Sequence, residues 1–213
     1  MIWRSLHPLF SPSRSSGRRA FSLVEMLTVI AIIGLLAAVA VPAVGTMLES
    51  SKLNTAINQV ADHISLARQI ALAQSRRVEV RFYKYSTSSE PTAAYRAIGT
   101  YLISETGSAT PISKIQELTS PIVISDNSAQ NTVFRTTPVS YAGTEDLPRS
   151  ANTPYYKFSF LPNGRTDFGA GDNPFLTLFS ARRVTSPGTL PPNYAVLQID
   201  AMTGNVRIFR PNK

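Results

Sequence analysis

The run Met26–Leu48, MLTVIAIIGLLAAVAVPAVGTML, has no charged residue, and the next charge in the chain is Glu49. As a helix rising about 1.5 Å per residue it spans roughly 35 Å, enough to cross a hydrocarbon core of about 30 Å. A soluble core helix rarely stays uncharged for so long, so the run is expected to insert into a membrane. Glu25 stands immediately before it. A carboxylate carried into a bilayer costs roughly 2.5–3.5 kcal/mol on insertion scales, so an acid at this position needs a reason to be there.

Charge around the run fixes its direction. Arg4, Arg14, Arg18 and Arg19 precede it, and residues 1–20 contain no acid. Positive charge before a first apolar segment holds that end in the cytoplasm, so the chain beyond Leu48 is expected on the far side. The whole sequence carries a net charge of +8. Without residues 1–20 there remain 17 basic and 13 acidic side chains, a net of +4. The basicity thus belongs largely to the leader, and a nucleic-acid partner loses most of its support. The chain has no cysteine, so disulfides, thiolate catalysis and cysteine metal sites are excluded.

Arg18-Arg19-Ala20-Phe21-Ser22-Leu23-Val24-Glu25 followed by an apolar helix resembles the type III signal of type IV prepilins and pseudopilins. The resemblance implies that a membrane-embedded prepilin peptidase cuts between Ala20 and Phe21 and methylates the new amine of Phe21. It also implies that Glu25 is the carboxylate that guides assembly, and that Pro42 is a helix-kinking proline. One residue departs from the family pattern, because Ala20 stands where Gly is usual. The partners implied are the prepilin peptidase, other pilin or pseudopilin subunits and the inner-membrane assembly platform. The implied location is the bacterial inner membrane, crossed once, with the globular part periplasmic and the subunit built into a periplasmic or surface filament.

Beyond Leu48 the pattern becomes one-sided. Leu53, Ile57, Val60, Ile64, Ala67 and Ala71 recur at spacings of three and four, the seam of an amphipathic helix. The helix is expected to end near Ser75-Arg76-Arg77, where cations suit the negative end of its dipole. After Arg77 the period changes to two. Strands are expected at Val78–Phe82, Tyr95–Ser104, Pro121–Ile124, Thr132–Arg135, Tyr155–Phe160, Phe175–Ser180, Tyr194–Asp200 and Asn205–Phe209. Leu161-Pro162-Asn163-Gly164 and Ala201-Met202-Thr203-Gly204 read as turns. Ser86–Ala93, Ser104–Ser113 and Ser140–Thr153 read as surface loops.

The division is therefore a leader at 1–20, an apolar spine half at 21–48, an amphipathic spine half at 49–77 and a β-rich domain at 78–213. The class is α+β: a long spine helix packed on a mostly antiparallel sheet, the type IV pilin-like arrangement. The tail, Phe158–Gly164 with Ile199–Arg207, is similar to the closing pattern of minor pseudopilins of the GspH type, tip-associated subunits of type II secretion. The function implied is that of a minor pseudopilin. A minor pilin of a surface pilus, for adhesion or DNA uptake, is the alternative within the class. Outside it stands a soluble periplasmic binding domain that begins at Val41, since Arg18-Arg19 partly resembles a twin-arginine signal and Ala38-Val39-Ala40 a signal-peptidase site.

Enzyme chemistry has few candidates. Once the leader is gone, His63 is the only histidine, and a lone helical His is far more often a packing residue than a catalyst. No Gly-x-Ser-x-Gly and no phosphate-cradling Gly loop occurs, so no catalytic residue and no cofactor is expected. Asp167, Asp172 and Asn173 around Gly169 and Gly171 carry hard oxygen ligands suited to calcium. A turn explains the same residues more simply. Arg182-Arg183 and Arg207, Arg210 and Lys213 are the remaining basic candidates, for a DNA patch or a solvated rim.

Overall fold

The computed structural model describes residues 21–134, 143–147, 150–184, 186 and 188–210, except for the side chains of 39–44, 46, 143–146, 150 and 151. The leader, Ala20, Arg135 and Lys213 lie outside them, as do residues 140–142 and 148–149 of the expected loop Ser140–Thr153. The chain divides into two compact units, Met1–Val44 and Gly45–Lys213.

A single helix, α1 (Leu23–Gln74), runs through both units. The helix is continuous through residues 38–42, across Pro42. In the second unit the helix buries one stripe. Leu53, Ala56, Ile57, Val60, Ile64, Ala67 and Ala71 are all essentially inaccessible to solvent. Six of these form the seam legible in the sequence; Ala56 joins them because it lies three and four residues from Leu53 and Val60 on the same face. Ser75 closes the helix in the left-handed region at φ +50°.

Among the described residues ten strands follow: β1 (Val78–Thr87), β2 (Glu90–Ile103), β3 (Ala109–Pro111), β4 (Gln116–Glu117), β5 (Ile122–Ile124), β6 (Gly143–Leu147), β7 (Ser150–Phe160), β8 (Phe175–Ser180), β9 (Tyr194–Ile199) and β10 (Val206–Phe209). Every pairing among them is antiparallel. The sheet order is β10-β9-β8-β5-β2-β1-β7-β6, with β3 and β4 also paired to β2. One face packs Val78, Val80, Phe82, Phe158, Phe160, Leu176, Leu178, Leu197 and Ile199 into the same core as the helix seam. The fold is α+β, helix first and antiparallel sheet after.

Four expectations change. Ser86–Ala93 is not a loop but the end of a long hairpin, since β1 and β2 stay paired as far as Thr87 and Glu90. Ser104–Ser113 holds β3, paired at Tyr101↔Pro111 and Ile103↔Ala109. Part of Ser140–Thr153 likewise lies in β6 and β7. Thr132–Phe134, by contrast, is not a strand. Val133 and Phe134 are both buried although adjacent in sequence, and an extended chain would turn them to opposite faces. The turn instead directs Phe134 onto the rings of Tyr95 and Tyr156, with centroids 4.5 and 4.8 Å away.

The second face of the sheet holds a smaller core of Tyr83, Tyr85, Ala97, Tyr101 and Tyr155. Glu79 and Arg81 are buried there as well, although alternation along β1 reads them as solvent-facing. Glu79 accepts from Arg81 (2.9 Å) and from Lys157 Nζ (2.6 Å). The Arg81 guanidinium lies 4.0 Å from the centroid of the Tyr101 ring, and the Tyr83 and Tyr101 hydroxyls are 2.6 Å apart. Cation–π contact and a charge-assisted hydrogen bond together keep this arginine satisfied away from water.

Candidate assembly site

Phe21 precedes the helix, and the Met26 amide donates to the Ser22 carbonyl (3.1 Å) to start it. Glu25 lies in the first turn and is exposed. Its carboxylate thus sits at the positive end of the helix dipole, a placement favourable by about 0.3–1 kcal/mol. Thr28 Oγ1 donates to the Glu25 main-chain carbonyl (2.8 Å), a local bond that does not involve the Glu25 carboxylate.

Around this acid the helix is apolar on every side. Eleven large apolar side chains between Phe21 and Leu36 are exposed, Leu23 at 79% and Leu35 at 70%. At about 1.5–3 kcal/mol for each such side chain, leaving them in water forgoes on the order of 20 kcal/mol. The segment therefore demands an apolar cover. Among the described residues no helix is long and apolar enough to cross a membrane. The described side chains Leu23–Ala38 alone span only about 24 Å, and the rest of the uncharged run falls largely on the side chains not described. Pro42 lies within α1 and Ala20 outside the described residues, so the structure brings together Phe21 and Glu25 from the expected set.

The other candidates resolve into structural work. Asp167 Oδ1 accepts from the Ser159 amide (2.9 Å) and Oδ2 from Arg77 (3.1 Å). Asp172 accepts from the Gly169 amide (2.9 Å) and donates its own amide to the Gly169 carbonyl (3.0 Å), closing a turn. Among the described residues no three His, Asp or Glu side chains gather as a metal site would require. His63 is half-buried on α1 with Nδ1 unpartnered; burial lowers its pKa, against the opposing pull of Asp62.

The basic residues do not form one patch. Arg183, on the 3-10 turn Ala181–Arg183, donates to Glu49 (2.6 Å), and Arg210 donates to Asn54. Glu49 and Asn54 lie about 140° apart around the helix, at roughly 100° per residue, so the two arginines grip different flanks. A cavity of about 170 Å³ beside the first grip is lined by Ser50, Ser180, Pro191, Pro192 and Asn193, besides Glu49 and Arg183. Arg68 Nε to the Thr203 carbonyl (2.6 Å) and Lys52 Nζ to the Ser120 carbonyl (3.2 Å) fasten the helix further. These anchors were not readable in the sequence, because each joins residues more than sixty positions apart.

Comparison with known families bears on the helix start. Residues 15–41 match the prokaryotic N-terminal methylation motif. The match includes Ala20, Phe21 and Glu25 and stops one residue short of Pro42. No curated protein matches the chain. Among solved structures the chain is similar to the minor pseudopilin EpsH from the type 2 secretion system of Vibrio cholerae, at 8% identity and a TM-score of 0.43. The overlap covers 76% of this chain and 99% of EpsH. At that distance the likeness bears on neither activity nor partners.

Proposed function

We propose that this protein is a pilin-like filament subunit, working as a minor pseudopilin of a type II secretion pseudopilus or of a related filament. The observation that carries the reading is an N-terminal methylation motif whose acid, Glu25, opens a helix that is apolar on all sides. The precursor is anchored in the inner membrane by residues 21–48, with its N-terminus cytoplasmic and residues 78–213 in the periplasm. Prepilin peptidase cuts between Ala20 and Phe21 and methylates the Phe21 amine. Subunits then pass from lipid to filament by exchanging one apolar cover for another. In that low-dielectric bundle Glu25 pairs with the amine of a neighbouring Phe21. An unpaired buried charge is penalised by several kcal/mol, so only the paired register persists. Pro42, which removes one backbone hydrogen bond, gives the helix the bend that packing in the bundle requires. The role is mechanical rather than catalytic.

Mass spectrometry of the N-terminus of membrane-recovered protein tests the processing step. A methylated Phe21 is the expected result. A start at Val41 in the soluble periplasmic fraction would discard the filament reading, and an intact Met1 would leave a plain anchored domain. Glu25→Ala tests assembly: insertion and cleavage should persist while the subunit disappears from sheared or cross-linked filaments. Incorporation at the wild-type level would remove Glu25 from the mechanism.

A further inference from the structure

The outward face of β9 and β10 carries a feature that the filament reading does not use. Ala195, Leu197 and Ile199 are buried, so the pleat turns Val196, Gln198 and Asp200 away from the core. Register places Phe175, Gln198 and Arg207 in one row across β8, β9 and β10, and Val196 opposite Phe209 in the next. Asn173, Gln198, Asp200, Asn205 and Arg207 line a cavity of about 150 Å³, with no apolar side chain among them. Phe209, two residues from Arg207 on the same face, is 45% exposed beside it.

These side chains are not engaged with one another, and of them Asp200 is fixed by its own turn. Asp200 Oδ1 accepts from the amides of Met202 (2.9 Å) and Thr203 (2.8 Å), which fixes the carboxylate at the head of the hairpin turn. Arg207 acts on Asp200 through its charge without closing an ion pair. Among the described residues, the side chains of Asn173, Gln198, Asn205 and Arg207 have no hydrogen-bond partner.

We propose that this cavity is a saccharide-binding site, with its polar groups taking ring hydroxyls and the Phe209 ring taking the apolar face of a sugar. Each hydroxyl both donates and accepts. Three planar amides, one carboxylate and one guanidinium supply both functions. A phosphate would meet the Asp200 carboxylate, with a single arginine to offset it. A divalent cation would find one carboxylate where several oxygen ligands are needed. A purely apolar ligand would find no apolar lining. The volume lies below the roughly 300 Å³ at which drug-sized pockets begin, which suits one ring rather than an extended chain. The exposed aromatic completes the pairing of an apolar platform with a wet polar edge. The site is independent of Phe21 and Glu25, so it stands or falls separately from the filament reading.

The test uses the full chain in a zwitterionic detergent without a sugar headgroup. It is applied to a printed array of neutral and acidic oligosaccharides, and the best binders are then titrated by calorimetry. Saturable binding of at least one saccharide is expected. Arg207→Gln, Gln198→Leu and Phe209→Ala should each weaken it by about tenfold or more, with melting temperatures unchanged. Arg183→Gln, which touches the other cavity, should bind as the parent does. Absence of any saccharide binding overturns the proposal, and so does binding that none of the three substitutions affects. If acidic ten-residue peptides bind through Arg207 while no sugar does, the face is a protein-docking surface and the saccharide assignment is lost.

Discussion

Gly204 holds φ at +69°, and a Cβ there would lie 2.6 Å from the Gly164 carbonyl oxygen and 2.7 Å from the Phe160 ring. Two turns distant in sequence thus meet at one point where only hydrogen fits. Gly107 also has a positive φ, +85°, but nothing lies within 4 Å of the place its Cβ would take. Gly204→Ala combines left-handed strain with overpacking and should lower stability by about 2–4 kcal/mol; Gly107→Ala should cost about 1 kcal/mol. Paired chemical denaturation of the two variants isolates the steric part, and equal losses would refute it. Glu90 gives a second residue-scale test. Burial raises its pKa, but the hydrogen bond from Ser120 (2.7 Å) and the Arg96 guanidinium outweigh burial and hold it below the ordinary 4.5. Because the folded value lies below the unfolded one, the stability it contributes is complete above about 4.5 and is lost as pH falls through the folded value. Denaturation midpoints measured from about pH 6 down to about pH 3 should fall, and less steeply in Glu90→Gln.

The amphipathic half of α1 was legible because one periodicity reports one buried face, and a helix meets its cover on that face alone. β1 was legible only in part. Its alternation is real, yet Glu79 and Arg81 are buried because Ile103, Ile115 and Leu147, from distant segments, help to cover the second face. A strand of Val78-Glu79-Val80-Arg81 cannot announce a cover that lies twenty or more residues on. Thr132–Phe134 misled for a related reason, as two neighbouring apolar residues satisfy one hydrophobic cluster through a turn. The candidate assembly site rests on the motif and the uncharged run, both of which are local and so legible in the sequence. The anchors Arg183–Glu49 and Arg68–Thr203, and the polar cavity on β9 and β10, depend on tertiary register and were not readable. The buried network on β1 yields a prediction for this element. Glu79→Gln leaves Arg81 and Lys157 facing a neutral amide, where Glu79 and Arg81 side chains are now only 8% and 11% exposed. Breaking a buried pair by removing one partner should cost about 3–5 kcal/mol. A loss under about 1 kcal/mol in urea denaturation would mean that water reaches the site.

For the whole molecule, the division after Val44 separates two different needs. The second unit buries its own core, whereas the described side chains of the first are all exposed. Residues 45–213 alone should therefore fold cooperatively in plain buffer, while the full chain should need detergent or lipid. A fragment without a sharp thermal transition would show that the apolar half supports the domain. The sheet itself is joined unevenly. Among the described residues, the ladder from β8, β9 and β10 reaches β2 through the three residues of β5, which meets β2 at the register pair Tyr95↔Ile124. By contrast β1 and β2 share a long ladder. Both parts of the sheet are nevertheless fastened to the helix on their own, one by Arg68 and Arg183 and the other by Lys52. The ladder is thinnest at Ile124, and the turns at Gly164 and Gly204, with the Thr166 hydroxyl on the Ala201 carbonyl (2.9 Å), act as a second clasp between the two parts.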